Sequence, residues 1–208
     1  MNIDIVSDVI CPWCYVGQRR LARALAMRPD LPVEIVWRPF QLSPELPREG
    51  MDRRAYLKAK FGESSGRGPV LDALRQAGAE EGIAFNFEAI ERTPNTLDAH
   101  RLIYWAGGAG VQTAIVSRLF AAYFEQGRDI GQIAELANIA QEGGMDANRV
   151  RQLLASDADI DRVQTDIGHA ARLGIGGVPT FVLDRRFMAQ GAQDPEQLVQ
   201  VLDYAAAA

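Results

Sequence analysis

A chain of 208 residues with nearly half of them hydrophobic is long enough to bury a full core. Its formal net charge of −5, with no cluster of Lys or Arg, argues against nucleic acid as the main partner. No apolar run approaches the roughly 20 residues that span a bilayer, so no membrane partner is expected.

The N-terminus carries no basic region followed by an apolar stretch of the kind that directs export. Residues Asn2 to Ile10 begin with polar and β-branched apolar side chains in alternation and predict a strand. Tyr15 to Met27 predicts a helix, because Val16, Arg20-Leu21 and Ala24-Leu25 recur at helical spacing. Cys11-Pro12-Trp13-Cys14 therefore stands where a strand hands over to a helix.

That position has chemical consequences. The first turn of a helix leaves N–H groups unpaired and carries the positive end of the helix dipole, which favours a thiolate at Cys11. Pro12 suits the first helical position, where its fixed φ is already helical. Cys14, one turn on and more buried, is placed to reach back and close a disulfide. Thiolate character controls both attack and release in disulfide exchange, so Cys11 reads as nucleophile and Cys14 as resolving partner. Pro12 and Trp13 are expected to tune the Cys11 thiolate. A zinc half-site is disfavoured, because the chain has no third cysteine and His100 and His169 lie far away in sequence. A purely structural bridge is disfavoured as well, since so short a loop removes little chain entropy. Two cysteines, both in one motif, fit a reducing compartment where a disulfide is transient, and the expected location is the cytoplasm.

Val33 to Arg38 alternates like a second strand, parallel to the first across a βαβ unit. The proline-rich segment Pro39 to Pro47 then leaves the sheet, and from Met51 onward the period is helical for about a hundred residues. Helices are predicted over Asp52–Phe61 and Val70–Glu81, with a polar, mobile loop between them from Gly62 to Pro69. A short extended piece, Ile83–Phe87, follows. Thr93 to Thr96 supplies an N-cap before Leu97–Trp105, Asp129 caps Ile130–Gln141, and Asp146 caps Ala147–Leu154. The aromatic residues from Tyr104 to Phe124 read as core, His100 as a packed or capping histidine, and His169 as part of the helix Ile160–Leu173. Asp8 reads as a solvated carboxylate at a strand end.

A second landmark is Gly174-Ile175-Gly176-Gly177-Val178-Pro179-Thr180-Phe181. A helix stops there and a proline stands directly before an apolar strand, where an X-Pro bond makes a cis peptide accessible. Asp184-Arg185-Arg186 forms a hairpin turn into Phe187–Gly191, and Asp194-Pro195 opens a last helix.

Taken together, Ser7 to Gly17, Trp37 to Leu42, Pro94-Asn95-Thr96 with Ala99 to Leu102, and Gly176 to Phe181 resemble the DsbA-like group of the thioredoxin superfamily, in particular its cytoplasmic FrnE-like branch. The resemblance implies an α/β thioredoxin fold interrupted by a large all-helical insertion. Residues 1–42 and 157–208 would form the thioredoxin-like domain and residues 43–156 the helical insertion. It also implies that Val178 and Pro179 face the dithiol and bind substrate through their backbone. The insertion topology is similar to kappa-class glutathione transferases and 2-hydroxychromene-2-carboxylate isomerases as well. Those carry a serine where this chain has Cys11, and a Ser-Asp pair where this chain reads Gln193-Asp194.

The function expected is therefore a disulfide oxidoreductase or isomerase with Cys11-Cys14 as redox-active centre, acting on a protein or small-molecule thiol or disulfide. No metal and no cofactor is called for, with glutathione as a candidate redox partner. A glutathione-dependent transferase or isomerase is the alternative enzyme. A chaperone or metal-binding module that uses the dithiol as a ligand pair is the alternative outside enzymes.

Overall fold

Ile3 and Ile5 point to one face of the first strand, β1 (Asn2–Ser7), and are buried in the main core, while Val6 points to the other face. This alternation fixes which way the sheet is covered. The structure is a computed structural model and describes residues 1–62 and 68–208. Helix α1 (Pro12–Ala26) crosses from β1 to the parallel strand β2 (Glu34–Pro39), with Asn2 opposite Glu34 and Ser7 opposite Pro39.

Among the described residues, six helices and a small ladder intervene before the chain returns. They are β3 (Met51–Asp52), α2 (Arg53–Phe61), α3 (Pro69–Glu80), β4 (Arg92–Thr93), α4 (Leu97–Gly108), α5 (Gln112–Phe124), α6 (Ile133–Glu142) and α7 (Ala147–Leu154). Helix α8 (Ile160–Arg172) leads back to the antiparallel pair β5 (Thr180–Leu183) and β6 (Phe187–Gln190), and α9 (Pro195–Ala207) closes the chain. The main sheet has the order β2-β1-β5-β6, with β5 antiparallel to β1. Leu21 of α1 and Leu198 and Leu202 of α9 cover the Ile3 face, whereas Ala170 of α8 packs with Val6 on the opposite face.

The outer edge of β2 is closed by a side chain. Trp37 donates its N–H to Gln112 Oε1 (2.9 Å), and Gln112 Nε2 donates back to the Trp37 carbonyl (3.4 Å), so one amide imitates a neighbouring strand. Pro39, on the same side two residues on, has no N–H to offer. The intervening helices share the core of the sheet: Tyr15 of α1 stacks on Phe120 of α5 at 5.1 Å, and Trp37 meets the same ring edge-on.

Several elements differ from the sequence expectation. Ile83–Phe87, expected as a short extended piece, joins neither sheet. Phe85 and Phe87 stack on one another at 4.8 Å, both rings meet Phe124 edge-on, and the chain runs into a 3-10 turn over Phe87–Ala89. Asp129 does not cap a helix at Ile130. It accepts the Gly131 N–H in a local turn, and α6 starts three residues later than expected, at Ile133, with Ile130 fully buried. At α4 the capping side chain within the expected Thr93 to Thr96 segment is Asn95, which accepts from Leu97 N–H (3.0 Å). Tyr104 is largely exposed rather than core, while Phe120, Tyr123 and Phe124 are buried. Asp146 caps α7 through the N–H groups of Asn148 and Arg149, as expected. The loop expected from Gly62 to Pro69 has its centre, residues 63–67, outside the described residues.

One buried cation ties the turn after α7 to α4. Arg101 is fully buried and donates to the carbonyls of Leu153, Ser156 and Ala158 at 2.7 to 2.8 Å and to Asp98 Oδ1 at 2.7 Å. Replacing it by a methionine leaves a buried carboxylate and several carbonyls without their donor. Arg101→Met is therefore expected to lose about 3–5 kcal/mol of stability, read in urea unfolding as a lower midpoint at unchanged slope.

Candidate active site

β1 ends at Ser7, and the chain turns through Asp8 to Cys11, whose N–H donates to the Asp8 carbonyl (3.0 Å). Cys11 is the N-cap of α1 with extended backbone (φ −93°, ψ 112°), and Pro12 occupies the first helical position. The Cys14 N–H closes the first turn on the Cys11 carbonyl at 3.0 Å. Both cysteines are free thiols, 6% exposed at Cys11 and 1% at Cys14, so the outer of the two is also the one a reactant meets first. The Cys11 side chain does not cap the helix. Its thiol donates instead to the Val178 carbonyl at 3.7 Å, across 167 residues of sequence.

Val178–Pro179 is a cis peptide. Its loop is held by Gly191 N–H on the Pro179 carbonyl and by the Thr180 hydroxyl on the Gly177 carbonyl, both at 2.8 Å. The loop lies against α1 at Gly17, where a Cβ would stand 2.9 Å from Pro179 Cγ and 3.3 Å from Phe181 Cζ. Real side chains do not approach a rigid ring so closely, and glycine is what permits the contact.

Burial and the neighbouring Cys11 push the Cys14 thiol well above its ordinary range, opposed by the Ser7 side chain and the Asp8 backbone N–H that face its sulfur. Pro12 and Trp13 are half-buried at the rim, between the two thiols in sequence.

Asp8 corrects the sequence expectation. Far from being solvated, it is fully buried: Oδ2 accepts Leu42 N–H at 2.7 Å, and Oδ1 lies 3.6 Å from His100 Nε2. His100 is packed, as expected, and donates from Nε2 to the Phe40 carbonyl at 2.8 Å. Next to it Gln41 donates to Asn95 Oδ1 (3.0 Å), and Asn95 donates to the Leu46 carbonyl (2.7 Å). The residues from Phe40 to Leu42, Asn95 and His100 thus form one polar web behind the dithiol turn. The sequence signals for it are an Asp directly after a strand and the segments Trp37 to Leu42, Pro94 to Thr96 and Ala99 to Leu102 that carry the family resemblance.

The remaining candidates lie elsewhere. His169 is exposed on α8. Asp194 starts α9 with its N–H on Gln197 Oε1, while its carboxylate is engaged by Arg20 at 2.8 Å. Among the described residues no group of three or more His, Cys, Asp or Glu is placed to hold a metal ion. None of the helices is long and apolar enough to cross a membrane, again among the described residues. A groove of about 1000 Å³ runs between β2 and α4, α5, α7 and α8, lined by Trp37, Tyr104 and Arg149, but neither cysteine borders it.

A family model described as DSBA-like thioredoxin domain matches residues 2–203. The chain is 36% identical to a probable DsbA oxidoreductase from Streptomyces coelicolor whose crystal structure superposes with a TM-score of 0.90 over all of this chain and 90% of that one. It is 26% identical over 184 residues to the uncharacterized protein YwbO of Bacillus subtilis, covering 88% of this chain and 86% of YwbO. A 2-hydroxychromene-2-carboxylate isomerase shares the fold at 18% identity and a TM-score of 0.68, covering all of this chain and 95% of its own.

Two outcomes follow from this geometry. Gly17→Ala gains about 0.5–1 kcal/mol of helix propensity but overpacks Pro179 at a cost of about 1–3 kcal/mol, so a net loss is expected in urea unfolding. Gly168→Ala on α8, where an added Cβ meets only the mobile end of Arg172 at 3.4 Å, should gain about 0.4–1 kcal/mol and serves as the control. The raised Cys14 thiol sets a pH dependence. Below about pH 8.5 both folded and unfolded chains hold this proton; above it the unfolded chain releases the proton first, and reduced protein loses up to about 1.4 kcal/mol per pH unit. Unfolding free energies at pH 8 and pH 10 should therefore fall more steeply for the reduced wild type than for Cys14→Ala. Parallel curves would contradict the assignment.

Proposed function

Since the chain belongs to the DsbA-like thioredoxin family, we propose that it is a thiol–disulfide oxidoreductase in which Cys11 is the nucleophile and Cys14 the resolving thiol. The observation that carries this reading is the Cys11 thiol, at the N-terminus of α1, 3.7 Å from the carbonyl that precedes Pro179. A disulfide substrate laid along Val178 brings its sulfur to Cys11 with backbone groups to bind it. Cys11 sulfur attacks, one substrate sulfur departs as thiolate, and a mixed disulfide remains. Cys14 then attacks the Cys11 sulfur, the second substrate thiolate leaves, and the Cys11–Cys14 disulfide closes. The substrate gains two electrons and the dithiol loses them. The reverse sequence oxidises a dithiol substrate.

Burial supports the division of labour. Cys14 is out of reach of a bulky disulfide, and its proton is held until Cys11 is engaged. With both cysteines of the chain in one motif, a reducing compartment such as the cytoplasm is the setting we infer, and it favours reduction or isomerisation of substrates over net oxidation. Glutathione is then the redox partner at hand.

A glutathione-dependent isomerase or transferase is a second reading, favoured by the fold shared with the isomerase. Two features weigh against it: a cysteine at position 11, and the Arg20 guanidinium 2.8 Å from Asp194 Oδ1, which competes for the carboxylate that would receive a glutamyl amine.

Equilibration in glutathione redox buffers, followed by alkylation and mass analysis, separates the readings. The expected result is a reversible two-electron transition with a midpoint between about −270 and −120 mV. Cys14→Ser should accumulate a glutathione adduct at Cys11, and Cys11→Ser should form none. A stable adduct in the wild type without an internal disulfide would give the lead to the second reading.

A further inference from the structure

β1 ends in a hydroxyl that the fold does not use. Ser7 is buried, its carbonyl is engaged by Phe40 N–H at 3.0 Å, and yet its Oγ has no hydrogen-bond partner. Natural structures rarely leave such a group unpaired, and each one calls for an explanation, a redox or catalytic role among them. The strand has ended at Ser7, so the next N–H, that of Asp8, is paired with no backbone carbonyl either. Both groups act as donors toward the Cys14 sulfur and oppose the rise of its thiol, while burial and the adjoining Cys11 thiol push it up.

The mixed disulfide makes the difference. While Cys11 is a thiol, the two sulfurs have a proton to share between them. Once Cys11 is bonded to substrate it has none to donate, and Cys14 must become a thiolate in a pocket where it is 1% exposed. Water cannot stabilise that charge, so fixed donors must. Resting on the dithiol reading above, we propose that the Ser7 hydroxyl and the Asp8 N–H form a thiolate cradle for Cys14, which makes Ser7 a catalytic residue of the resolving step.

The step balances without a further reactant. The Cys14 sulfur forms its bond to Cys11 sulfur, the bond from Cys11 to the substrate sulfur breaks, and the electron pair leaves with the substrate. The Cys14 proton goes to bulk solvent, and the departing thiolate takes up a proton there only where its own pKa lies above the pH. Ser7 keeps its own proton and donates only a hydrogen bond. The Asp8 carboxylate plays no part in the cradle, since it is turned to Leu42 N–H and toward His100.

An aromatic nitrobenzoate disulfide reports the two steps separately, because each releases one coloured thiolate: the first on attack by Cys11, the second on resolution by Cys14. Ser7→Ala should leave the first release within about twofold of wild type and slow the second by about tenfold to hundredfold, since loss of one donor in a water-excluded site weakens the thiolate. The pH profile of the second release should move upward, and Ser7→Thr should restore both. If Ser7→Ala does not fold, Ser7→Val against Ser7→Thr gives the same comparison in one shape, without and with the hydroxyl. A second release with wild-type rate and pH profile overturns the proposal, as does equal slowing of both releases. A wild type that never shows a second release fails at the dithiol reading itself.

Discussion

Helix α1 and the Val178–Pro179 loop touch at a separation that leaves no room for a side chain at position 17. Much of the site depends on that contact. β5 runs antiparallel beside β1 with Val6 opposite Thr180, so the end of β1 and the start of β5 emerge at the same end of the sheet. The sheet alone, however, sets only which loops are neighbours. How close the helix lies to the loop is set by Gly17 against the Pro179 ring. Cys14 is three residues before Gly17 and therefore on the same face of the helix, so the resolving thiol is carried toward the interior by the same packing. Cys11, at the helix end, is left beside the Val178 carbonyl.

Behind this contact the turn from Asp8 to Cys11 is fixed by polar groups rather than by apolar packing. A buried carboxylate is tolerated only where its lone pairs are satisfied, and the donors to Asp8 come from two different segments: Ile10 N–H in its own turn, on Oδ1 at 3.4 Å, and Leu42 N–H, just after β2, on Oδ2, with His100 of α4 beside them. The helices inserted between β2 and α8 therefore do more than fill space. They place His100 and Asn95 where the chain leaving β2 must pass, and so hold Phe40, Gln41 and Leu42 against the dithiol turn. The groove between β2 and α4, α5, α7 and α8 reaches the same web, since His100 lines it as well.

The dithiol was legible in the sequence because everything it needs is local: a strand, a two-residue spacer, proline at the first helical position and a helical period afterwards. The helical stretch and the Asp194-Pro195 start of α9 were legible for the same reason. Asp8 was misread because its main partner is 34 residues away, and no local pattern distinguishes a carboxylate that meets a backbone N–H from one that meets water. Ile83–Phe87, read as a short extended piece, joins neither sheet. An alternating apolar pattern needs a neighbouring strand before it becomes a strand, and at this place the rings of Phe85 and Phe87 found Phe124 instead. β3 and β4, two residues each, are too short for any periodicity to show. Gly17 gave no signal at all, since a glycine inside a helical pattern announces a close approach only once the approaching atom is known.

The two thiols are chemically distinguished by one turn of helix and a few ångströms of burial. In the proposed exchange this difference enforces an order of events. A substrate sulfur can reach Cys11 but not Cys14, and burial beside a neighbouring thiol holds the Cys14 proton until Cys11 is engaged. Burial that protects the resolving thiol from premature reaction also makes its thiolate costly, and the two requirements conflict unless donors are held ready for the charge. The end of β1 is where such donors arise without weakening the sheet, because the ladder stops there and its next N–H is released. Strand end, dithiol turn and proline loop therefore belong to one design: the sheet brings the loops together, Gly17 sets their distance, and the groups freed at the end of β1 take up the charge that burial would otherwise forbid.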